Sequence, residues 1–412
     1  MGDAMQATLK LMHRLRRLVA SVAMFAVVAT AQPARASSLS AAFEGACERI
    51  PEIQALTARR AVPDAKRSAA GAHLPGGPWA TLTHRTDALT HDRGTREYVA
   101  ELTLPIWLRG VRGAALTAAL TEGERIEAEI TFRRLEVARR VREGYWMVVE
   151  GREKVAIAER RRATAATLLQ DVRGQAQSGQ SGLLEPKLSE ADVRDADAAL
   201  AGRRAELKQA GIAFRVLTGR EPPAMFGEKN AGRTTGTSHP RIALRSSVVQ
   251  KAEADQTLVL TMDRERPEVG AFASNARDTS AEPNVTSLGV RMKIPFAYDA
   301  INRPKRAAAA ADVVAAKEEL ALAEREVAGD VAQARAKLEG ARQQLTALEG
   351  RRAGLAEVVQ LTQAGQRAGQ MPLNDLIRSR LQLFEADLAR TTARVAVERA
   401  RSDLNQAFGL EP

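Results

Sequence analysis

A single cysteine, Cys47, stands in 412 residues, so no disulfide can form within the chain. Its setting, Phe43-Glu44-Gly45-Ala46-Cys47, puts a charge where a lipid-attachment signal wants small or apolar residues, which argues against a lipid anchor. Beyond residue 36 there is no run of 18 apolar residues, which excludes helical membrane spans after that point. Gly-rich phosphate loops, nucleophile elbows and paired catalytic carboxylate motifs are missing. His73, His84, His91 and His239 show no ligand spacing such as two histidines four apart on a helix. No enzyme activity, no cofactor and no structured metal site is therefore expected. If the protein crosses a membrane, it must do so with strands.

The first 36 residues combine a basic start (Lys10, Arg14, Arg16, Arg17), an apolar run over 18–31 and a small-residue exit at Ala34-Arg35-Ala36. This is the pattern of a secretory signal peptide, and the apolar run is shorter than the ~20 residues a spanning helix needs. The segment holds five basic residues and one acidic one, so its removal lowers the formal net charge from +11 to +7. The remaining basic excess is dispersed among glutamates along helices, as solvated faces are, and no nucleic-acid partner is expected.

A shift of 190 residues lays the chain on itself without a gap. Pro105 falls on Pro295, Gly179 on Gly369 and Gly219 on Gly409, while Val141, Val148, Val155, Arg162 and Leu169 fall on Val331, Leu338, Leu345, Arg352 and Val359. Two heptad seams carry an arginine at the same step. A unit so long rules out short solenoid repeats and predicts a tandem duplication of a strand-plus-long-helix module.

Each module opens with two strand-like segments, 79–87 and 98–105 in the first, 269–276 and 285–296 in the second. In the second strand of each pair Tyr98, Ala100, Leu102 and Leu104 oppose Val99, Glu101 and Thr103, and Leu288, Val290, Met292 and Ile294 oppose Gly289, Arg291 and Lys293. Period-two alternation gives one apolar and one polar face. The first strand of each pair alternates less clearly, and its facing is left open. Proline-free stretches follow, with long helices predicted over 111–178 and 305–365 and return helices over 187–217 and 373–408. Val313, Leu320, Val327, Ala334, Ala341, Leu348 and Leu355 recur every seven residues, a coiled-coil pattern. At 1.5 Å per residue each long helix reaches roughly 90 to 100 Å. The expected organisation is a signal peptide over 1–36, a first module over 37–219 led by a proline-kinked helix over 37–72, a linker over 220–265 containing a helix over 246–262, and a second module over 266–412. Arg162 and Arg352 are expected to pair between helices, and Tyr98 and Trp107 to sit either in an interfacial belt or at a packed junction.

Four strands per chain are too few to close a membrane barrel, whose smallest examples have eight, so the apolar faces call for partner chains. At this point the chain resembles the TolC-like outer membrane efflux proteins over nearly its whole length after the signal. The resemblance is carried by Leu104-Pro105-Ile106-Trp107, Ile294-Pro295-Phe296, Arg266-Pro267-Glu268, Leu217-Thr218-Gly219 and Leu404-Asn405-Gln406-Ala407-Phe408-Gly409. Within the family, His84-Arg85-Thr86-Asp87, Arg96-Glu97-Tyr98 and Asn302-Arg303-Pro304 look most like the branch serving heavy-metal cation pumps. The resemblance implies a mostly helical fold with a small β part, in which a homotrimer builds a twelve-stranded outer-membrane barrel continued by a periplasmic helical barrel. It implies passive transport, an RND-type inner-membrane pump and a periplasmic adaptor as partners, and Tyr98, Leu102, Leu104, Leu288, Val290, Met292 and Ile294 facing lipid. It also implies a periplasmic tip, gate and adaptor contact at Gly179, Gly182, Glu185, Gly369, Asn374 and Asp375. Glu185 and Asp375 coincide under the 190-residue shift, and either form an acidic ring or simply occupy helix first turns, where the macrodipole favours an acid. The alternatives are a multidrug or type I secretion channel of the same family, a periplasmic adaptor, and a coiled-coil scaffold. A single helical hairpin between soluble β domains would mark an adaptor, and the duplication speaks against it.

Overall fold

A computed structural model of the chain describes residues 38–178, 182, 184–224, 228 and 239–412. The signal-peptide segment and Gly179 lie outside these residues. The chain after residue 37 forms one compact unit.

Where one proline-kinked helix is predicted, three short helices form: α1 (Leu39–Arg49), α2 (Pro51–Arg59) and α3 (Ala61–Gly71). Ser38 caps α1 by accepting from the Ala41 N–H at 3.1 Å. Ile50 breaks the helix in an extended conformation, as a residue preceding proline does. Pro63 interrupts the helix in the same way: it offers no N–H to the Arg59 carbonyl, so α2 ends at Arg59 and Pro63 falls in the first turn of α3.

The strands β1 (Trp79–Thr86), β2 (Arg96–Pro105), β3 (Glu268–Arg277) and β4 (Val285–Lys293) make one antiparallel sheet in the order β1-β2-β3-β4. The last strand stops before the predicted end at residue 296. Glu268, at the start of β3, pairs with Lys293, Pro267 precedes it, and Pro295 has no N–H to offer a ladder. Ile294 therefore lies just beyond the strand.

The long helices are α4 (Val111–Gln177) and α7 (Asp299–Arg367), of 67 and 69 residues, each about 100 Å at 1.5 Å per residue. They turn back as α5 (Leu184–Thr218) and α8 (Leu373–Ala407), while α6 (Pro240–Thr261), longer than its predicted 246–262, lies against both α4 and α7. Helix α7 begins six residues earlier than predicted and runs through Pro304. There the turn is held in part by Asn302, whose amide donates to the Asp263 carbonyl. Gly219 and Gly409 end the return helices of the two modules with φ of 69° and 80°, a left-handed C-terminal cap that favours glycine.

The main core joins Leu39 and Phe43 of α1 to Val137, Val141, Tyr145, Trp146 and Val148 of α4, and to Phe214 of α5. Along α7 the heptad seam is covered: Val313, Val327, Ala334 and Leu338 are buried, and Leu320, Ala341, Leu348 and Leu355 half-buried. The returning α8 meets it at close range through small residues, with Ala386 and Ala400 fully buried, as Ala196 is on α5 in the first module.

Candidate functional site

Strand register settles what alternation alone left open. Leu82 stands opposite Ala100, Ala100 opposite Ala273, and Ala273 opposite Leu288. One sheet face thus collects Ala80, Leu82, Tyr98, Ala100, Leu102, Leu104, Val269, Ala271, Ala273, Leu288, Val290 and Met292. Its large side chains stand bare, with Leu82 and Leu288 each 83% exposed and Val290 75%. The alternation of β3 is weak because its bulky apolar residue, Phe272, lies on the other face, where it fills the space over Gly289. A Cβ on Gly289 would stand 2.5 Å from the Phe272 ring.

That other face is charged and internally neutralised. Arg85 pairs with Glu97 at 3.2 Å and Lys293 with Glu268 at 3.6 Å. Arg291 crosses β3 to reach Glu101 at 2.5 Å. The crossing passes over Gly270, which leaves no side chain in its path: a Cβ there would lie 2.8 Å from Glu101 Oε1. Arg291 also stacks over the Phe272 ring, 5.5 Å from its centroid. Both edge strands, β1 and β4, carry unpaired backbone on their outer sides.

Where the sheet meets the helices, Trp107 donates from Nε1 to the Ala72 carbonyl at 3.0 Å and lies under Arg266, which donates to the Pro75 carbonyl at 2.7 Å. Trp107 is thus part of a packed junction, while Tyr98 stacks on His84 with ring centroids 4.4 Å apart.

At the far ends of the helices the second turn is closed by Gly369, with φ of 71° and its N–H donating to the Gln366 carbonyl at 3.0 Å. Leu373 and Leu376 of α8 bury themselves against Leu168 and Val172 of α4, and Gln366 Nε2 donates to Gln175 Oε1 at 3.5 Å. The structure thereby brings the second turn onto the end of the first long helix. Glu185 and Asp375 occupy the first turns of α5 and α8; Asp375, Asn374 and Gly182 are exposed, and Glu185 is half-buried. Beside Glu185, Glu190 accepts from Arg173 at 2.8 Å and Lys187 at 3.0 Å, and these cations hold its carboxyl down at about 2.

Sequence reasoning named the two seam arginines but not their partners. Arg162 Nε donates to Asp197 Oδ1 and Arg352 Nε to Asp387 Oδ1, each at 3.0 Å. The two aspartates are themselves 190 residues apart, which the sequence could have disclosed. Arg142 was missed altogether: only 3% exposed, it bonds Glu228 from the linker at 2.8 Å and the Leu410 carbonyl at 2.9 Å. Cys47 is buried and its thiol is pushed up to about 11 by desolvation, so it is unreactive. Among the described residues no helix is long and apolar enough to cross a membrane, and no group of three or more His, Cys, Asp or Glu is placed to hold a metal ion.

The chain matches no protein-family profile. It is 25% identical over 215 residues to the cobalt-zinc-cadmium resistance protein CzcC of Cupriavidus metallidurans, a match covering 50% of this chain. The chain thus spans about half the length of the curated relative it matches, 51%. Among solved structures, the outer membrane protein VceC of Vibrio cholerae superimposes with a TM-score of 0.71 at 14% identity, over 90% of this chain and 96% of that one. CusC, studied for its folding and transmembrane channel formation, gives 0.71 at 17% identity, over 90% and 92%. The resemblance drawn from the sequence holds at the level of architecture: the chain has the fold of the outer membrane protein VceC and of the channel-forming CusC.

Proposed function

We propose that the protein is the outer-membrane channel subunit of a tripartite efflux system, conducting heavy-metal cations passively from an inner-membrane RND-type pump and a periplasmic adaptor to the exterior. The observation that carries this reading is the sheet: one face apolar and bare, one face of self-neutralised ion pairs, and both edges open. Such a sheet satisfies its backbone in a bilayer only by pairing edge to edge with copies of itself, and three copies give the twelve strands of a barrel. Tyr98, Leu102, Leu104, Leu288, Val290 and Met292 then face lipid, with Ile294 at the strand's end, and the ion-paired face lines the passage. The turns around Gly179, Gly182, Gly369, Asn374 and Asp375 become the periplasmic tip and adaptor contact. The likeness to CzcC favours cobalt, zinc or cadmium as the cargo.

Deletion of the gene, with metal and drug sensitivity scored beside membrane fractionation, tests the proposal. Sensitivity to these metals and recovery as an outer-membrane trimer are expected. Sensitivity to organic drugs alone would replace the cargo but keep the channel, and recovery in the soluble periplasm would end the reading. Glu185 and Asp375 supply six carboxylates to a trimeric tip, an acidic constriction favouring cations. Single-channel currents of Glu185→Gln with Asp375→Asn should show weakened cation selectivity; unchanged currents leave these acids only their helix-terminal role.

A further inference from the structure

The cations of the sheet fall into two groups. On the ion-paired face, Arg85, Arg291 and Lys293 each have a carboxylate within bonding distance. On the apolar face, Arg96 and Arg277 stand directly opposite each other across β2 and β3, and among the described residues neither has a carboxylate partner. Arg277 Nε donates to the Gly94 carbonyl at 3.0 Å, which fixes the base of its guanidinium beside the turn that joins β1 to β2. Arg96 is exposed. Glu97, the nearest acid in sequence, points to the other face and is taken by Arg85.

Like charges directly opposite in a sheet repel and lower its stability, so this arrangement calls for an anion. Its position says which kind. Arg96 continues the series Tyr98, Ala100, Leu102 and Leu104, and Arg277 continues Asn275, Ala273, Ala271 and Val269, so both extend the apolar face by one step, about 7 Å past Tyr98. From Arg96 to Leu104 this face runs about 26 Å along the strand, about 20 Å of height at the ~40° tilt of barrel strands, which brings Arg96 toward the rim of a lipid-contacting band ~25 Å tall. The two guanidiniums therefore stand where hydrocarbon gives way to headgroups. Arginine's planar fork matches phosphate in a bidentate geometry.

We infer that Arg96 and Arg277 form a binding site for the phosphate of an anionic membrane lipid, one per subunit, whose acyl chains lie along the Leu82, Ala100 and Leu288 face. The site rests on the outer-membrane reading above. The purified trimer, titrated in detergent with phosphatidylglycerol, phosphatidylcholine or inorganic phosphate and read by native mass spectrometry, tests it. Wild type should retain phosphatidylglycerol about 10-fold better than phosphatidylcholine, Arg96→Gln with Arg277→Gln should lose most of that preference, and Arg96→Lys with Arg277→Lys should keep it within about threefold. Equal retention of the two lipids by wild type, or an undiminished preference in the glutamine variant, overturns the site. Displacement of the lipid by equimolar inorganic phosphate shows a free-anion site and overturns the lipid assignment. A wild-type chain recovered as a soluble monomer overturns the channel reading first and this site with it.

Discussion

Arg142 shows what one buried charge can hold. Its guanidinium bonds Glu228, Gln406 at 2.5 Å and the Leu410 carbonyl, while Asn405 donates to the second Glu228 oxygen at 3.0 Å. One side chain thus fastens the linker and the end of the second module to the middle of α4. Arg142→Met leaves Glu228 buried without its cation, with only the Asn405 amide on it, and should cost about 3–5 kcal/mol in chemical unfolding; adding Glu228→Leu should restore much of it. Nothing in sequence marks this contact, because Arg142 sits among Arg139 and Arg140 and its partner is a lone glutamate in an irregular linker. The modules also differ at one buried hydroxyl. Ser379 bonds Thr362 at 2.9 Å, whereas its counterpart Ser189 has no partner among the described residues and Val172 stands at the position equivalent to Thr362. Ser379→Ala should lose about 1 kcal/mol and Ser189→Ala essentially none. His239 caps α6 by accepting from the Arg241 N–H at 3.1 Å, and burial, aided by Arg241, lowers its pKa from 6.5 while Asp330 opposes the shift. The unfolded chain therefore binds this proton more readily. The cap's contribution is complete above pH ~6.5 and falls below it until the lower folded value is passed. Melting temperatures measured at pH 7.5 and 5.5 should converge in His239→Asn relative to wild type.

At the scale of elements, the helical hairpins owe little to the salt bridges that decorate them. Arg162 and Asp197 are each 51% exposed, and such pairs contribute about 0–1 kcal/mol, so Asp197→Asn with Asp387→Asn should leave the melting temperature almost unchanged. The sheet is less tolerant. Gly289→Ala drives a methyl into Phe272 and should cost about 1–3 kcal/mol, with Phe272→Leu relieving it, as measured by the yield and heat resistance of the membrane-inserted protein. The long helices were legible because seven-residue periodicity without proline has few other solutions. Their boundaries were less so: Pro63 sits in the first turn of α3, where its missing N–H costs nothing, whereas Pro304 lies six residues into α7, where Asn302 braces the turn from its side. The facing of β3 was illegible for a particular reason. Phe272 is apolar yet stands on the charged face, supporting Arg291 across a glycine, and only register reveals that.

For the whole molecule, the doubled plan could be read from residues 190 apart, but what closes the sheet could not, because in the assembly proposed above the answer lies in other copies of the chain. A panel of single cysteines along β1 at positions 81, 83 and 85, combined with positions 285 and 287 of β4, should yield covalent dimers and trimers on oxidation for at least one combination. Failure of every combination in a membrane-inserted protein would refute edge-to-edge closure. Cys47 adds no background, being buried with its thiol held protonated. The twin Arg–Asp contacts also carry a date. The same two residue types, 35 positions apart in each half, bond through the same atoms, which is what inheritance from a half-length ancestor leaves behind. Such an ancestor, with one strand pair and one rod pair, would have needed six copies for the twelve strands that three copies of this chain supply in the proposed trimer. The proposed threefold assembly would then be a sixfold one in which neighbours were fused, and Ser189, Val172 and Arg142 record how far the two halves have since drifted apart.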